Sequence, residues 1–210
     1  NYPMAKRSEV LGAITNSSYN ICVAGTHGKT TTSTMVAHIL RQSGYGCNAF
    51  LGGISVNYDT NFWPQANSGK SKKNVSVVEA DEYDRSFLKL NPDIAIITAM
   101  DADHLDIYGT AENVEQAFID FSARIKPSGC LIVKHGLKRN NDFKVHDTCT
   151  YSVDDDKANI HISNLKITNG AYQFDVINNY WVMQDVMLNM GGLHNIENVI
   201  AAIAVAKYLK

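Results

Sequence analysis

The segment Val23-Ala24-Gly25-Thr26-His27-Gly28-Lys29-Thr30-Thr31-Thr32 constrains this chain more than any other. A short apolar run from Asn20 to Ala24 leads into Gly25, and from Lys29 to Gln42 the apolar positions Met35, Val36, Ile39 and Leu40 recur at helical spacing. Strand, tight loop and helix therefore follow one another. In an open parallel sheet such a junction lies at the edge where ligands bind.

Each residue type in the loop has a physical task. Gly25 and Gly28 let the backbone curl so that successive N–H groups face an anion, and the helix presents its positive end to the same place. Lys29 can reach the outer phosphates of ATP, and the Thr30 hydroxyl can ligate Mg²⁺. The strict pattern G-x-x-x-x-G-K-[ST] fails at one position, because Val23 stands where the first glycine belongs. A Gly-rich turn without function is the bland alternative, and it must explain Lys29 and Thr30 together at a helix start.

Further β-rich runs at 49–51, 75–79, 94–98 and 130–134 are nearly continuous in apolar character, as in parallel strands covered on both faces. Between them the spacing of Val114, Ala117, Phe118, Phe121 and Ile125 predicts a helix over 111–125, ended by Pro127 to Gly129. After Thr150 the texture changes. Asn169-Gly170 and Asn178-Asn179 separate strand-like runs, so 158–190 reads as a small antiparallel sheet attached to the parallel one. Helix returns from Asn195 to Leu209, and 58–74, polar and containing Gly and Pro, reads as an exposed loop. The fold class is α/β: a P-loop type, mostly parallel sheet with flanking helices plus a small antiparallel sheet.

The chain has 210 residues, 45% hydrophobic and 19% charged, which suits one large α/β domain. Its formal net charge of -2 supplies no global basic field for a nucleic-acid backbone, so phosphate recognition must be local. Cys22, Cys47, Cys130 and Cys149 lack the close pairing of zinc or redox sites and are expected to be buried thiols. No apolar run reaches the ~20 residues that span a bilayer and no signal peptide opens the chain, so a soluble cytoplasmic protein is expected.

Two acidic stretches follow strands. Glu79 closes the run VSVVE and is a metal-ligand candidate, whereas Asp81, Glu82 and Asp84 read individually as a solvated acidic turn. The run IAIIT empties into Asp101-Ala102-Asp103-His104-Leu105-Asp106. There His104 is either structural or, with an acid fixing one ring nitrogen, a metal ligand. Gly52 and Gly53 either admit a ligand close to the backbone or form a plain turn.

Taken in order, GTHGKTTT, EADEYDRSFL, DADHLDIYGT and GGLHNIENVIAA resemble the ATP-dependent Mur ligases of bacterial cell-wall synthesis, over residues 21–210. Thr26-His27 and EADEYDRSFL most resemble the branch that joins L-alanine to UDP-N-acetylmuramate. The resemblance implies an ATP-binding central domain at 19–210, with 1–18 a linker from an absent N-terminal UDP-binding domain and an absent C-terminal domain. Asn1 in place of an initiator methionine, and a helical pattern still running at Lys210, raise the same expectation of a piece of a longer protein.

By the same resemblance, Gly25, Thr26, His27, Gly28, Lys29, Thr30 and Thr31 hold the nucleotide phosphates. Thr30 and Glu79 serve one magnesium and His104 a second. Asn195 and Asn198 contact adenine, for which an amide that both donates and accepts is chemically suited. Lys29, Glu79 and His104 form the catalytic set. Some relatives resemble one another in a carbamylated lysine after the DHxD motif; here no lysine lies between Lys89 and Lys126, and Phe118 stands at about that place. Two other functions compete: a recycling ligase that attaches a preformed peptide to UDP-N-acetylmuramate, and a P-loop ATP-binding module without ligase activity.

Overall fold

The computed structural model describes residues 7–65 and 73–210. Its elements are α1 (Arg7–Thr15), β1 (Tyr19–Ala24), α2 (Lys29–Gln42), β2 (Asn48–Ser55), β3 (Thr60–Trp63), β4 (Val75–Glu79), a 3-10 segment (Tyr83–Lys89), β5 (Ile94–Ile97), α3 (Leu105–Tyr108), α4 (Ala111–Ser122), β6 (Cys130–Lys134), β7 (Asp147–Tyr151), β8 (Ile160–Thr168), β9 (Ala171–Asn178), β10 (Trp181–Leu188) and α5 (Leu193–Tyr208).

The strands form one ten-stranded sheet in the order β10-β9-β8-β7-β6-β5-β1-β4-β2-β3. From β2 to β8 all neighbours are parallel, and the β8-β9-β10 meander is antiparallel. The predicted small antiparallel sheet is thus continuous with the parallel one, joined through the single register pair Tyr151↔Ile160. Strand β1 lies between β4 and β5, so the loop after it opens at the centre of the sheet edge.

The core follows from the period-2 alternation of a central strand. Ile21 and Val23 of β1 join one buried cluster with Val36, Ala37 and Leu40 of α2 and Ile196 and Ile200 of α5. Cys22 and Ala24 face the other side, where Phe118 and Phe121 of α4 meet Phe87. Helix α4 starts because the Thr110 side chain accepts from Asn113 N, a proper N-cap. Helix α2 has no side-chain cap: Gly28 at its start is left-handed, with φ 81°.

The predicted strands and the helix at 29–42 are found where expected, but 58–74 needs correction. Thr60–Trp63 is a strand antiparallel to β2, and Trp63 is buried, its ring centroid 4.1 Å from that of Tyr58. Polar composition hid a hairpin whose apolar content is concentrated in three aromatic residues, Tyr58, Phe62 and Trp63, with the Arg41 guanidinium lying over Tyr58. Residues 66–72 of that stretch lie outside the described residues. Within the expected linker, Arg7–Thr15 is helical and Thr15 is buried. Among the described residues no helix is long and apolar enough to cross a membrane.

Candidate functional site

The loop between β1 and α2 is held open by its neighbours. The Thr98 hydroxyl, just after β5, shares its one proton between the carbonyl oxygens of Ala24 and His27. Thr26 N donates to Ala99 O at 3.2 Å, and Thr26 Oγ1 accepts from Asp101 N at 3.1 Å. A Cβ at Gly25 would overlap Thr98, and one at Gly28 would lie 2.7 Å from Asn198 Oδ1. Glycine is therefore required at both positions, for close approach and for a positive φ of 139° and 81° respectively. The resulting curl ends at a helix start that no side chain caps, which leaves N–H groups for an anion.

Lys29 and Thr30 begin α2 and point to two different carboxylates. Lys29 Nζ donates to Gly25 O at 2.9 Å and to Glu82 Oε1 at 2.8 Å. Thr30 Oγ1 donates to Glu79 Oε1 at 2.9 Å, and Gly52 N donates to Glu79 Oε2 at 2.7 Å. Gly52 lies inside β2, not in a turn, and a Cβ there would overlap the Glu79 carboxylate.

The pairing with Glu82 departs from the sequence expectation of a solvated acidic turn. Its side chain is 1% exposed, it does not belong to a solvated acidic turn, and its Oε2 is buried with no hydrogen-bond partner among the described residues. The missed signal is the spacing Glu79-x-x-Glu82. One carboxylate ends the strand, and the chain then enters a 3-10 turn that carries the next one back under the loop. Tyr108 Oη fixes that turn by donating to Glu82 O at 2.6 Å, and burial pushes the Tyr108 hydroxyl up to about 12.

His104 sits at the same edge in a left-handed backbone conformation, φ 51°. Its Nε2 is 3.7 Å from Glu82 Oε1 and 3.8 Å from Asp103 Oδ2, and its ring meets Tyr83 edge-on at 5.2 Å. Of the three acids flanking it in sequence, Asp101 instead lies 3.6 Å from His27 Nε2, out in solvent. Thr31 is half-buried on α2.

Asn195 and Asn198 are brought to the loop from α5, and both are buried. Asn198 Nδ2 donates to Asn195 Oδ1 at 3.2 Å, Thr32 Oγ1 donates to Asn198 Oδ1 at 3.1 Å, and Asn195 Nδ2 donates to Gly191 O at 2.6 Å. The pair thus ties α5 to α2 beside Gly28. Phe118 is fully buried and packs edge-on against Phe87 at 5.4 Å, so α4 offers the site no charge at that position.

The donor set suits magnesium. Among the described residues no group of three His, Cys, Asp or Glu side chains could hold a metal. What the site offers is one hydroxyl and one carboxylate, Thr30 and Glu79, already in contact. Mg²⁺ keeps several waters and takes its other oxygens from substrate phosphates, so a sparse all-oxygen pair beside an anion loop fits it. Next to Glu79 opens a cavity of about 400 Å³ lined in part by Phe50, Gly52, Tyr83 and Phe87.

Comparison with known proteins gives a consistent result. A family model described as the Mur ligase middle domain matches residues 23–206. The UDP-N-acetylmuramate--L-alanine ligase of Phocaeicola vulgatus is 44% identical over 206 residues, covering 98% of this chain and 44% of the relative. That of Parabacteroides distasonis is 46% identical over 209 residues, covering 98% of this chain and 43% of the relative. The chain therefore spans less than half the length of these relatives. Among solved structures, the UDP-N-acetylmuramate-alanine ligase of Thermotoga maritima is similar with TM-score 0.78 at 25% identity, over 97% of this chain and 45% of that one. The UDP-N-acetylmuramate:L-alanyl-gamma-D-glutamyl-meso-diaminopimelate ligase of Neisseria meningitides shares the fold with TM-score 0.82 at 22% identity, over 96% of this chain and 65% of that one.

Proposed function

The chain belongs to the Mur ligase family, and from that premise we propose that it is the ATP-binding central domain of a ligase that joins L-alanine to UDP-N-acetylmuramate in the cytoplasm. Residues 19–210 form that domain, and 1–18 lead from an N-terminal UDP-binding domain. The observation that carries the reading is the curled loop whose lysine and threonine, at one helix start, meet Glu82 and Glu79. Identities of 44% and 46% to alanine-adding relatives support this branch over the recycling ligase, whose solved structures are 22% and 25% identical to this chain. A non-ligase ATP-binding module would leave the joint placement of Glu79, His104, Asn195 and Asn198 around one loop without a purpose.

In the proposed reaction a carboxylate oxygen of the muramyl group attacks the γ-phosphorus of ATP, and ADP leaves. The amine of L-alanine then attacks the acyl carbon, loses a proton, and expels phosphate to leave an amide. Activation is needed because an oxide is too poor a leaving group. Lys29 and the N–H groups at the start of α2 bind and orient the phosphates where charge develops. Thr30 and Glu79 would hold Mg²⁺, with His104 toward a second, and the metal would neutralise phosphate charge. Glu79 in this role holds a cation and does not take a proton. Asn195 and Asn198 face adenine in this reading, and the cavity beside Glu79 receives the acceptor carboxylate.

The test is ADP release by the full-length protein carrying this domain. Turnover should require both UDP-N-acetylmuramate and L-alanine. Turnover with a preformed peptide in place of L-alanine would indicate the recycling ligase, and turnover with neither would end the ligase reading.

A further inference from the structure

We propose that Glu82 is an internal counter-anion to Lys29 that makes the phosphate loop accept metal-complexed nucleotide in preference to bare polyphosphate. The inference rests on the nucleotide reading above and assigns Glu82 a specificity role within it.

The geometry gives the carboxylate little choice of partner. Its side chain is 1% exposed, so water does not solvate it, and Lys29 Nζ at 2.8 Å is the close cation. His104 Nε2 stands off at 3.7 Å, and Oε2 has no hydrogen-bond partner among the described residues. The backbone cannot swing the group outward, because Glu82 O accepts from both Tyr108 Oη at 2.6 Å and Arg85 N at 2.9 Å.

Lys29 spends two of its three N–H donors on Gly25 O and Glu82 Oε1. An arriving phosphate therefore meets one of two situations. It can draw the ammonium away, leaving a buried carboxylate uncompensated, which is strongly unfavourable. Alternatively it can take the third N–H and sit beside that buried negative charge in a medium where like charges repel far more than in water. A divalent cation arriving with the phosphates, held on the Thr30 and Glu79 side of the loop, removes the conflict by adding positive charge to the same cluster. Bare ATP or pyrophosphate brings no such compensation. The pair thus makes lysine binding to phosphate conditional on a cation.

The experiment measures calorimetric dissociation constants of this 210-residue chain for ATP in excess Mg²⁺ and in EDTA, for the unaltered protein, Glu82→Gln, Glu82→Asp and Lys29→Ala. The unaltered chain should bind Mg-ATP at least about tenfold more tightly than bare ATP. Glu82→Gln, which keeps the acceptor oxygen and removes the charge, should strengthen bare-ATP binding by about tenfold and shrink the magnesium dependence. Glu82→Asp keeps the charge and should keep the dependence. Unchanged or weaker bare-ATP binding by Glu82→Gln overturns the proposal, as does identical behaviour of Glu82→Asp and Glu82→Gln, which would assign the effect to shape. If thermal unfolding shows that Glu82→Gln does not fold, the unaltered chain decides, since bare ATP within about threefold of Mg-ATP overturns it. Failure of the underlying reading looks different: the unaltered chain then binds neither form, or Lys29→Ala binds both as well as the unaltered chain does.

Discussion

The backbone N–H of Gly52 donates to Oε2 of Glu79 at 2.7 Å, so a strand two places from β1 in the sheet orders the carboxylate that Thr30 also touches. The contact is possible only because Gly52 has no Cβ, which would otherwise overlap that carboxylate. Gly52→Ala should push Glu79 away from Thr30. The expected outcome is a loss of about tenfold in the Mg²⁺ dependence of ATP binding, with a destabilisation of about 1–3 kcal/mol from overpacking. Magnesium titrations of nucleotide binding, alongside thermal melts, check both. Unaltered magnesium dependence would remove Glu79 from the metal site.

Lys29, in the proposed role, brings a full positive charge to the outer phosphates. In the full-length enzyme, Lys29→Ala should lower turnover by on the order of 10² or more, because the charge acts where negative charge develops during transfer. The measurement is steady-state ADP release at saturating substrates. Near wild-type turnover would refute the assignment.

Legibility of the sequence divides along a physical line. Nearly continuous apolar runs locate β1, β4, β5 and β6 and helical spacing locates α2, since each is specified by its own apolar pattern. The hairpin strand Thr60–Trp63 escapes, because its burial depends on Tyr58 and Arg41 and not on an alternation of its own. In the site, Lys29, Thr30 and Glu79 are readable because each stands at a strand or helix terminus whose direction is known. Glu82 is not. Its burial is decided by a turn with left-handed Asp84 and Arg85, and by Tyr108 from a distant part of the chain. Asn198 is readable as polar at a helix start, but its engagement with Thr32 is a contact 166 residues long.

That contact makes Asn198 a support for the phosphate loop as well as a candidate for adenine. Asn198→Ala removes the acceptor of the buried Thr32 hydroxyl and frees the space against Gly28. The expected cost is about 1–3 kcal/mol of stability for a buried donor left unpaired, with weaker ATP binding. Asn198→Ala combined with Thr32→Val removes both partners and should recover part of the stability. Denaturant unfolding of the single and double variants measures the coupling, and strictly additive losses would show that the pair carries none.

The four cysteines give a prediction about alkaline stability. Burial pushes the Cys47 and Cys130 thiols from an ordinary 9.0 up to about 12, and Cys149 up to about 11. Cys22 is raised further by the same cause, with Asp93 adding to it. In every case the folded state holds the proton more tightly than the unfolded chain does. Between the unfolded and folded values the unfolded state therefore binds fewer protons, and stability falls as pH rises. The stability contributed by the neutral thiols is fully present below about pH 9 and is lost progressively toward pH 12, where the folded thiols ionise too. Urea unfolding at a series of pH values should show a flat plateau up to about pH 9 and a steady decline above it, and Cys47→Ala should make that decline shallower. Thiol labelling in the native state should be slow at all four positions and least slow at half-buried Cys149. Rapid native labelling of Cys22 or Cys130, both in the central strands, would contradict their burial.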